Sequence, residues 1–147
     1  MDKLLKTMMD SVRALSHRYG TMEREIGEKY GLTSGECAVL AFLHNNPSLD
    51  TQSDIAEGRH MLKSNVSMYV SVLEEKGLLI RRHDEKDRRI VHLEPSIAAS
   101  SFLSELDGAL SVLSSEAFAD LLPSEKDVLE NSMLRIRKNI RGEYGKR

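Results

Sequence analysis

A single cysteine, Cys37, stands among the 147 residues, so no disulfide can close within the chain, and a reducing compartment suits it. No apolar run approaches the roughly 20 residues that a bilayer-spanning helix needs. The opening MDKLLKTMMDSV carries acidic residues and lacks both an apolar core and a small-residue cleavage site, so it is not expected to be a signal peptide. The cytoplasm is the simplest expectation, with no membrane partner. Catalytic signatures are missing as well: there is no G-x-S-x-G, Walker loop, G-x-G-x-x-G or H-E-x-x-H. Asp84 and Asp87 share an exposed basic turn and make a poor catalytic pair, so neither an enzyme nor a cofactor is expected. The five histidines, His17, His44, His60, His83 and His92, contain no H-x3-H pair, and 102–118 holds no histidine. No metal site is expected.

Excess charge of either sign is lacking too. The formal net charge is −2, which does not advertise a nucleic-acid binder. Its distribution says more: −1 over residues 1–50, +1 over 51–93, −7 over 94–134 and +5 over 135–147. Salt screens exposed charges beyond about 10 Å, so the local field decides what a surface attracts. Between Arg81 and Arg89 five basic residues face three acidic ones. Repeats, low-complexity tracts and Gly/Ser linkers are absent, so one domain spanning 1–147 is expected, at an ordinary 40% hydrophobic and 30% charged composition.

The organising stretch is Thr51 to Leu93. Thr51 reads as an N-cap with Asp54 three residues on, opening a helix from Gln52 to about Arg59. A second helix, about Lys63 to Lys76, carries Val66, Tyr69 or Val70, and Leu73 on one face. Gly77 is a natural left-handed terminator. Strands are expected at 78–82 and 89–93, separated by the charged turn His83-Asp84-Glu85-Lys86-Asp87-Arg88. Two helices, a short turn and a basic hairpin give the order of a winged helix-turn-helix, here assigned to 32–94.

The run KSNVSMYVSVLEEKGLLIRR, the wing pattern Asp84-x-x-Asp87-Arg88-Arg89 and the Leu32-Thr33…Val39-Leu40 opening resemble the multiple-antibiotic-resistance regulator (MarR) family of bacterial transcription factors. The likeness covers nearly the whole chain. It implies a homodimeric regulator on double-stranded, roughly palindromic operators, often released by a small molecule or an oxidant. It also implies that Arg89 enters the minor groove, that Asp87 holds that arginine, and that Lys86 and Arg88 meet phosphate. With Val66, Val70 and Leu73 turned inward, the second helix offers Lys63, Ser64, Asn65, Ser67, Met68 and Ser71 to DNA. Asn can bond adenine bidentately, Ser serves base or phosphate, and Lys suits phosphate or guanine. Two positions depart from the family pattern. Leu62 stands where many relatives have a capping Ser, and Met68 where they often have Arg or Lys; Met68 can touch a thymine methyl instead.

Outside that core, Leu5, Met8, Val12, Leu15, Tyr19, Met22 and Ile26 form a seam stepping by 3 and 4 along a helix from Lys3 to Tyr30. Thr33 and Glu36 form a capping box for a helix ended by Asn45-Asn46-Pro47. A helix from about Pro95 or Ser96 carries Leu103, Leu106, Leu110 and Leu113. After Leu122-Pro123, a box of Ser124 and Asp127 opens a last helix with Leu129, Met133, Ile136 and Ile140. The expected fold is therefore mainly α with a small β-hairpin: a winged helix-turn-helix plus long dimerisation helices over 1–30 and 96–147. Cys37 lies in a core-facing run and reads as a small hydrophobe, not a peroxide sensor. His17 and Tyr19 could line a ligand pocket only by analogy; packing is the expectation. The basic tail from Arg135 to Arg141 suits the negative end of a helix dipole. The rival reading is a winged-helix protein-interaction module that no longer binds DNA, kept alive by Leu62, Met68 and the small net charge. A third is a related winged-helix family with another dimer arrangement.

Overall fold

The computed structural model describes residues 1–144. In order it contains α1 (Lys3–Lys29), α2 (Ser34–Asn45), α3 (Gln52–Gly58), α4 (Lys63–Glu75), β1 (Leu79–His83), β2 (Val91–Pro95), a 3-10 turn (Ile97–Ala99), α5 (Ser100–Ala117) and α6 (Pro123–Tyr144). It is mainly helical with one antiparallel hairpin, β1–β2, as the sequence predicts. Two compact units are distinguished, Met1–Leu110 and Ser111–Arg147.

The first unit is built around α2. This helix is apolar on nearly every side, and Cys37 through Leu43 are all buried. A helix without a polar face must be enclosed by other elements. Its start is fixed by the predicted capping box: the Glu36 N–H donates to Thr33 Oγ1 and the Thr33 N–H donates to Glu36 Oε2 (2.7 Å). Around it lie Ile26 of α1, Ile55 of α3, Val66, Val70 and Leu73 of α4, Leu79 and Leu93 of the hairpin, and Phe102 and Leu106 of α5. Two close approaches set its neighbours. A Cβ at Gly35 would lie 2.0 Å from the Tyr69 ring, and one at Gly58 would lie 2.2 Å from the Phe42 ring.

Three helix ends in this unit share one termination pattern. After α4, Gly77 (φ +72°) donates to Glu74 O and Leu78 to Leu73 O. After α1, Gly31 (φ +68°) donates to Glu28 O and Leu32 to Gly27 O. This paired arrangement satisfies carbonyls the helix itself leaves open, and its left-handed residue is ordinarily glycine. After α3 the same pattern recurs with His60 in the left-handed position (φ 52°): Met61 donates to Ala56 O and His60 to Glu57 O. The sequence did not announce this.

Three expectations shift. The strands begin and end later than 78–82 and 89–93, because Leu78 is used in closing α4 and the wing turn is held shut by a bond from the Asp84 N–H to Ile90 O. Pairing therefore starts at His83↔Val91 and leaves Arg89 in the turn. The helix expected from Pro95 or Ser96 begins with a 3-10 turn, and α5 proper starts at Ser100. In the second unit, α6 begins at Pro123, where a missing N–H costs nothing. Glu125 Oε2 accepts from the Leu122 N–H (2.8 Å), in place of the box expected at Ser124 and Asp127. The α1 seam is buried at Ile26 and half-buried at Met8, Tyr19 and Met22, while Leu5 (45%), Val12 (48%) and Leu15 (43%) are exposed. In the second unit Leu113 is buried, whereas Leu129 (42%), Met133 (41%) and Ile140 (55%) of α6 are exposed.

Candidate nucleic-acid interface

The helix α4 turns Val66, Val70 and Leu73 into the core, at 0% exposure each. Helical periodicity then leaves the opposite face outward. Lys63, Ser64, Asn65, Ser67, Met68 and Ser71 are all exposed, as the sequence predicts. The amino end of this helix is unusual. Leu62 occupies the N-cap with extended backbone (φ −67°, ψ 139°), makes no side-chain cap and is 70% exposed, and no acid sits in the first turn. The first N–H groups of α4, at the positive end of the helix dipole, therefore have no side-chain partner at the cap. At the other end Lys76 donates from Nζ to both Glu36 oxygens (3.0 and 3.1 Å), pinning α4 to the start of α2. Burial pushes the Glu36 carboxyl up, but the Thr33 N–H and the Lys76 ammonium outweigh it and hold it below the usual range.

The wing turn is held by its own side chains. Asp84 Oδ1 accepts from the Lys86 and Asp87 N–H groups, 2.9 Å each. Asp87 in turn grips Arg89: its Oδ1 accepts from the Arg89 N–H (3.1 Å) and Nε (3.0 Å), and its Oδ2 from an Arg89 terminal nitrogen (3.0 Å). The Arg89 side chain is 91% exposed. A two-toothed carboxylate–guanidinium pair fixes direction as well as distance. This clamp restricts the arginine's rotamers and leaves its outer edge in solvent. The Arg89 bond holds the Asp87 carboxyl below its usual range. Lys86 and Arg88 are exposed. Among the described residues, Lys63, Lys86 and Arg88 make no ion pair, so their charge is not spent inside the chain.

Several partners were missed in the sequence. Arg81 and Arg82 had been counted with the basic patch, but Arg81 donates to Glu74 and to Ser71 Oγ (3.3 Å), and Arg82 pairs with Glu94. Arg81 thus ties β1 to the outer face of α4 and engages one of the expected DNA-facing residues. His92 is one of the five histidines whose spacing carries no metal signal. It stands on β2 with Nδ1 2.8 Å from Asp50 Oδ1 and Nε2 2.9 Å from Asp84 Oδ2. Beside it a groove of about 730 Å³, whose walls include Leu43, His44, Asp50, His92, Leu103 and Asp107, opens between α2, the hairpin and α5.

The helices α2, α3 and α4 and the strand β1 fall within a family match: residues 30–90 fit a model described as the MarR family. That match places residues 30–90 in the MarR family. It is 36% identical over 92 residues to the HTH-type transcriptional repressor MdtR of Bacillus subtilis, an alignment covering 63% of this chain and 59% of that protein. The chain thus spans about three fifths of that relative. Solved MarR structures share the fold. A MarR protein from Peptoclostridium difficile superposes with a TM-score of 0.73 at 17% identity, covering 99% of this chain and 95% of that one. The S. aureus MepR–DNA complex gives 0.66 at 18% identity, covering 88% and 93%. These relatives are regulators, not enzymes.

Within this MarR-type unit the sequence also missed a buried ion pair. Arg59, the C-cap residue of α3, donates to Glu23 Oε1 of α1 (2.8 Å), with Glu23 only 5% exposed, and lies 5.8 Å from the centre of the Tyr19 ring. Tyr19 therefore packs, as expected, and its hydroxyl is pushed up to about 12 by burial and the adjacent Glu23 carboxylate. His17 is exposed on α1. Among the described residues no cluster suited to a metal occurs, and no helix is long and apolar enough to cross a membrane.

Proposed function

We propose that this chain is a homodimeric, sequence-specific DNA-binding repressor of bacterial promoters, acting in the cytoplasm on a roughly palindromic operator. The observation that carries this reading is the pairing, in one unit, of an outward polar face on α4 with a wing arginine set in place by Asp87. Lys63, Ser64, Asn65, Ser67, Met68 and Ser71 face the major groove, Arg89 the minor groove, and Lys86 and Arg88 the phosphates. The repressor role is supported by the name of MdtR, and the partner by the DNA-bound MepR neighbour. A second copy is supported by apolar residues at helical spacing left exposed on α1 and α6. A symmetric dimer would set two α4 helices about 34 Å apart, one turn of DNA. A small-molecule effector is supported by the groove beside His92. It would shift operator affinity only by binding two arrangements of the protein unequally.

The test is salt-titrated binding to an A·T-rich palindromic duplex, alongside sedimentation of the protein alone. Expected are a dimer, a steep fall in affinity with salt, and a roughly tenfold or greater loss in Arg89→Ala. Equal affinity in Arg89→Ala would sink the wing assignment. The rival reading, a winged-helix protein-interaction module, is favoured by the exposure of Leu62 (70%) and Met68 (52%). It predicts negligible duplex binding at any salt.

A further inference from the structure

We propose that His92 is the positioning residue of the wing: held between Asp50 Oδ1 and Asp84 Oδ2, it ties the wing turn to the entry of α3 only while both ring nitrogens carry protons. This rests on the DNA-binding role proposed for the wing.

The geometry makes the requirement. Both neighbours of the ring are carboxylate oxygens, at 2.8 and 2.9 Å, and a carboxylate can only accept. A doubly protonated imidazole donates to both. A neutral one has a single N–H, so whichever tautomer forms, one bond is lost and a ring lone pair faces a carboxylate oxygen. The two carboxylates belong to different parts of the winged unit. Asp50 immediately precedes the Thr51 cap of α3, and its carbonyl accepts from the Leu93 N–H (2.8 Å). Asp84 organises the wing turn, receiving the Lys86 and Asp87 N–H groups on the oxygen that His92 does not use. The path therefore runs from His92 through Asp84 to the Asp87 clamp on Arg89.

Other charged groups near the ring are already occupied. Arg82, opposite His92 in the strand register, pairs with Glu94. Along the groove, His44 of α2 bonds Asp107 of α5. The nearest groups that bond the ring are thus two anions. The bonds to Asp50 and then Asp84 raise the His92 pKa above 6.5, against a smaller opposing effect of burial. The bond from His92, with the turn N–H groups, lowers Asp84 to about 2. The sign follows: a raised histidine holds the clasp fully below its ordinary value and releases it as pH rises through the raised one.

The experiment uses full-length, ¹⁵N-labelled protein between about pH 5.5 and 8.5, where an unperturbed histidine titrates. Three quantities are followed: the His92 ring nitrogen shifts, the exchange protection of the Lys86, Asp87 and Arg89 amides, and the affinity for the tightest duplex recovered from a randomised library. In wild type the ring stays doubly protonated to higher pH than free histidine. Wing protection falls with its titration, and affinity drops roughly five- to tenfold over the same span. His92→Gln sits at the weak end at every pH, His83→Gln keeps the wild-type pH profile, and Asp50→Asn moves the profile to lower pH. A His92→Gln protein with wild-type wing protection and affinity throughout, or a ring carrying one proton over the whole range, overturns the proposal. If wild type captures no duplex, the DNA-binding reading fails, while ring shifts and amide exchange still decide whether the clasp exists.

Discussion

Leu62 is the residue at which the local sequence and the local structure disagree most plainly. It sits at the N-cap of α4 with the backbone a cap requires, yet offers no oxygen to the first-turn N–H groups. Replacement by Ser supplies one. A Ser cap is worth about 1 kcal/mol over a residue that cannot cap. The apolar loss is small, because 70% of Leu62 is already in water. At full burial a Leu contributes about 1.5–3 kcal/mol, so the covered fraction amounts to about 0.5–0.9 kcal/mol, and less against a realistic unfolded chain. Leu62→Ala separates the two effects, since it removes the same apolar atoms and adds no cap. The expected result is that Leu62→Ser exceeds Leu62→Ala by about 1 kcal/mol and wild type by about 0.2–0.6 kcal/mol. Urea unfolding at one fixed protein concentration reads this as a midpoint shift of roughly 0.5 M between the two variants. Identical midpoints for Ser and Ala would show that the amino end of α4 is satisfied in some other way, and the account of its open N–H groups would fall.

Three further outcomes follow from the same unit. His60→Gly should stabilise by about 0.5 kcal/mol in the same unfolding assay, because relief of left-handed strain, about 1–2 kcal/mol, exceeds the extra chain entropy of glycine; destabilisation would mean that the His60 side chain supports the turn. Arg59→Ala should cost about 3 kcal/mol by leaving the buried Glu23 carboxylate unpaired, more than Glu23→Gln costs, with Glu23→Met plus Arg59→Met recovering much of the loss; equal costs for the two single variants would refute the asymmetry. Cys37, fully buried and with its thiol pushed up to about 12 by burial and then by the Glu23 and Glu36 charges, should resist thiol reagents and peroxide in the native protein and react on unfolding, as a mass shift would report.

What the sequence made legible, and what it hid, divides by the range of the interaction. The capping boxes at Thr33–Glu36 and Thr51–Asp54 formed as read, since both partners lie within one turn. Gly31 and Gly77 took left-handed backbone for the same local reason. The outward set on α4 followed from periodicity once Val66, Val70 and Leu73 were inward, whereas the Asp87–Arg89 clamp was implied by the family resemblance of the wing pattern and formed between residues two positions apart. The hidden features are the long-range polar ones. His92 to Asp50 spans 42 positions, Lys76 to Glu36 spans 40 and Arg59 to Glu23 spans 36. Nothing in spacing marks such pairs before the fold brings them together. The start of α6 was misread for a different reason: two overlapping cap signals, at Pro123 and at Ser124, compete within two residues, and the proline's fixed φ prevails.

The misfit positions are not scattered. His60 in a glycine conformation and Leu62 without a capping oxygen both lie in the four-residue turn between α3 and α4. Local rules are usually broken where another requirement outweighs them. Here the turn is held from outside itself: Arg59 is anchored to the buried Glu23 of α1, and α4 is pinned at its far end by Lys76 on Glu36. Those tertiary bonds can impose a turn that its own residues do not favour. The consequence is mechanical. A turn stabilised mainly by α1 passes changes at α1 to the start of α4, whereas one with its own glycine and serine would be insulated from them. Combining His60→Gly with Leu62→Ser should therefore raise stability while weakening the effect of Arg59→Ala on duplex affinity. An undiminished effect in that triple variant would show that Arg59 acts on α4 through the core and not through the turn.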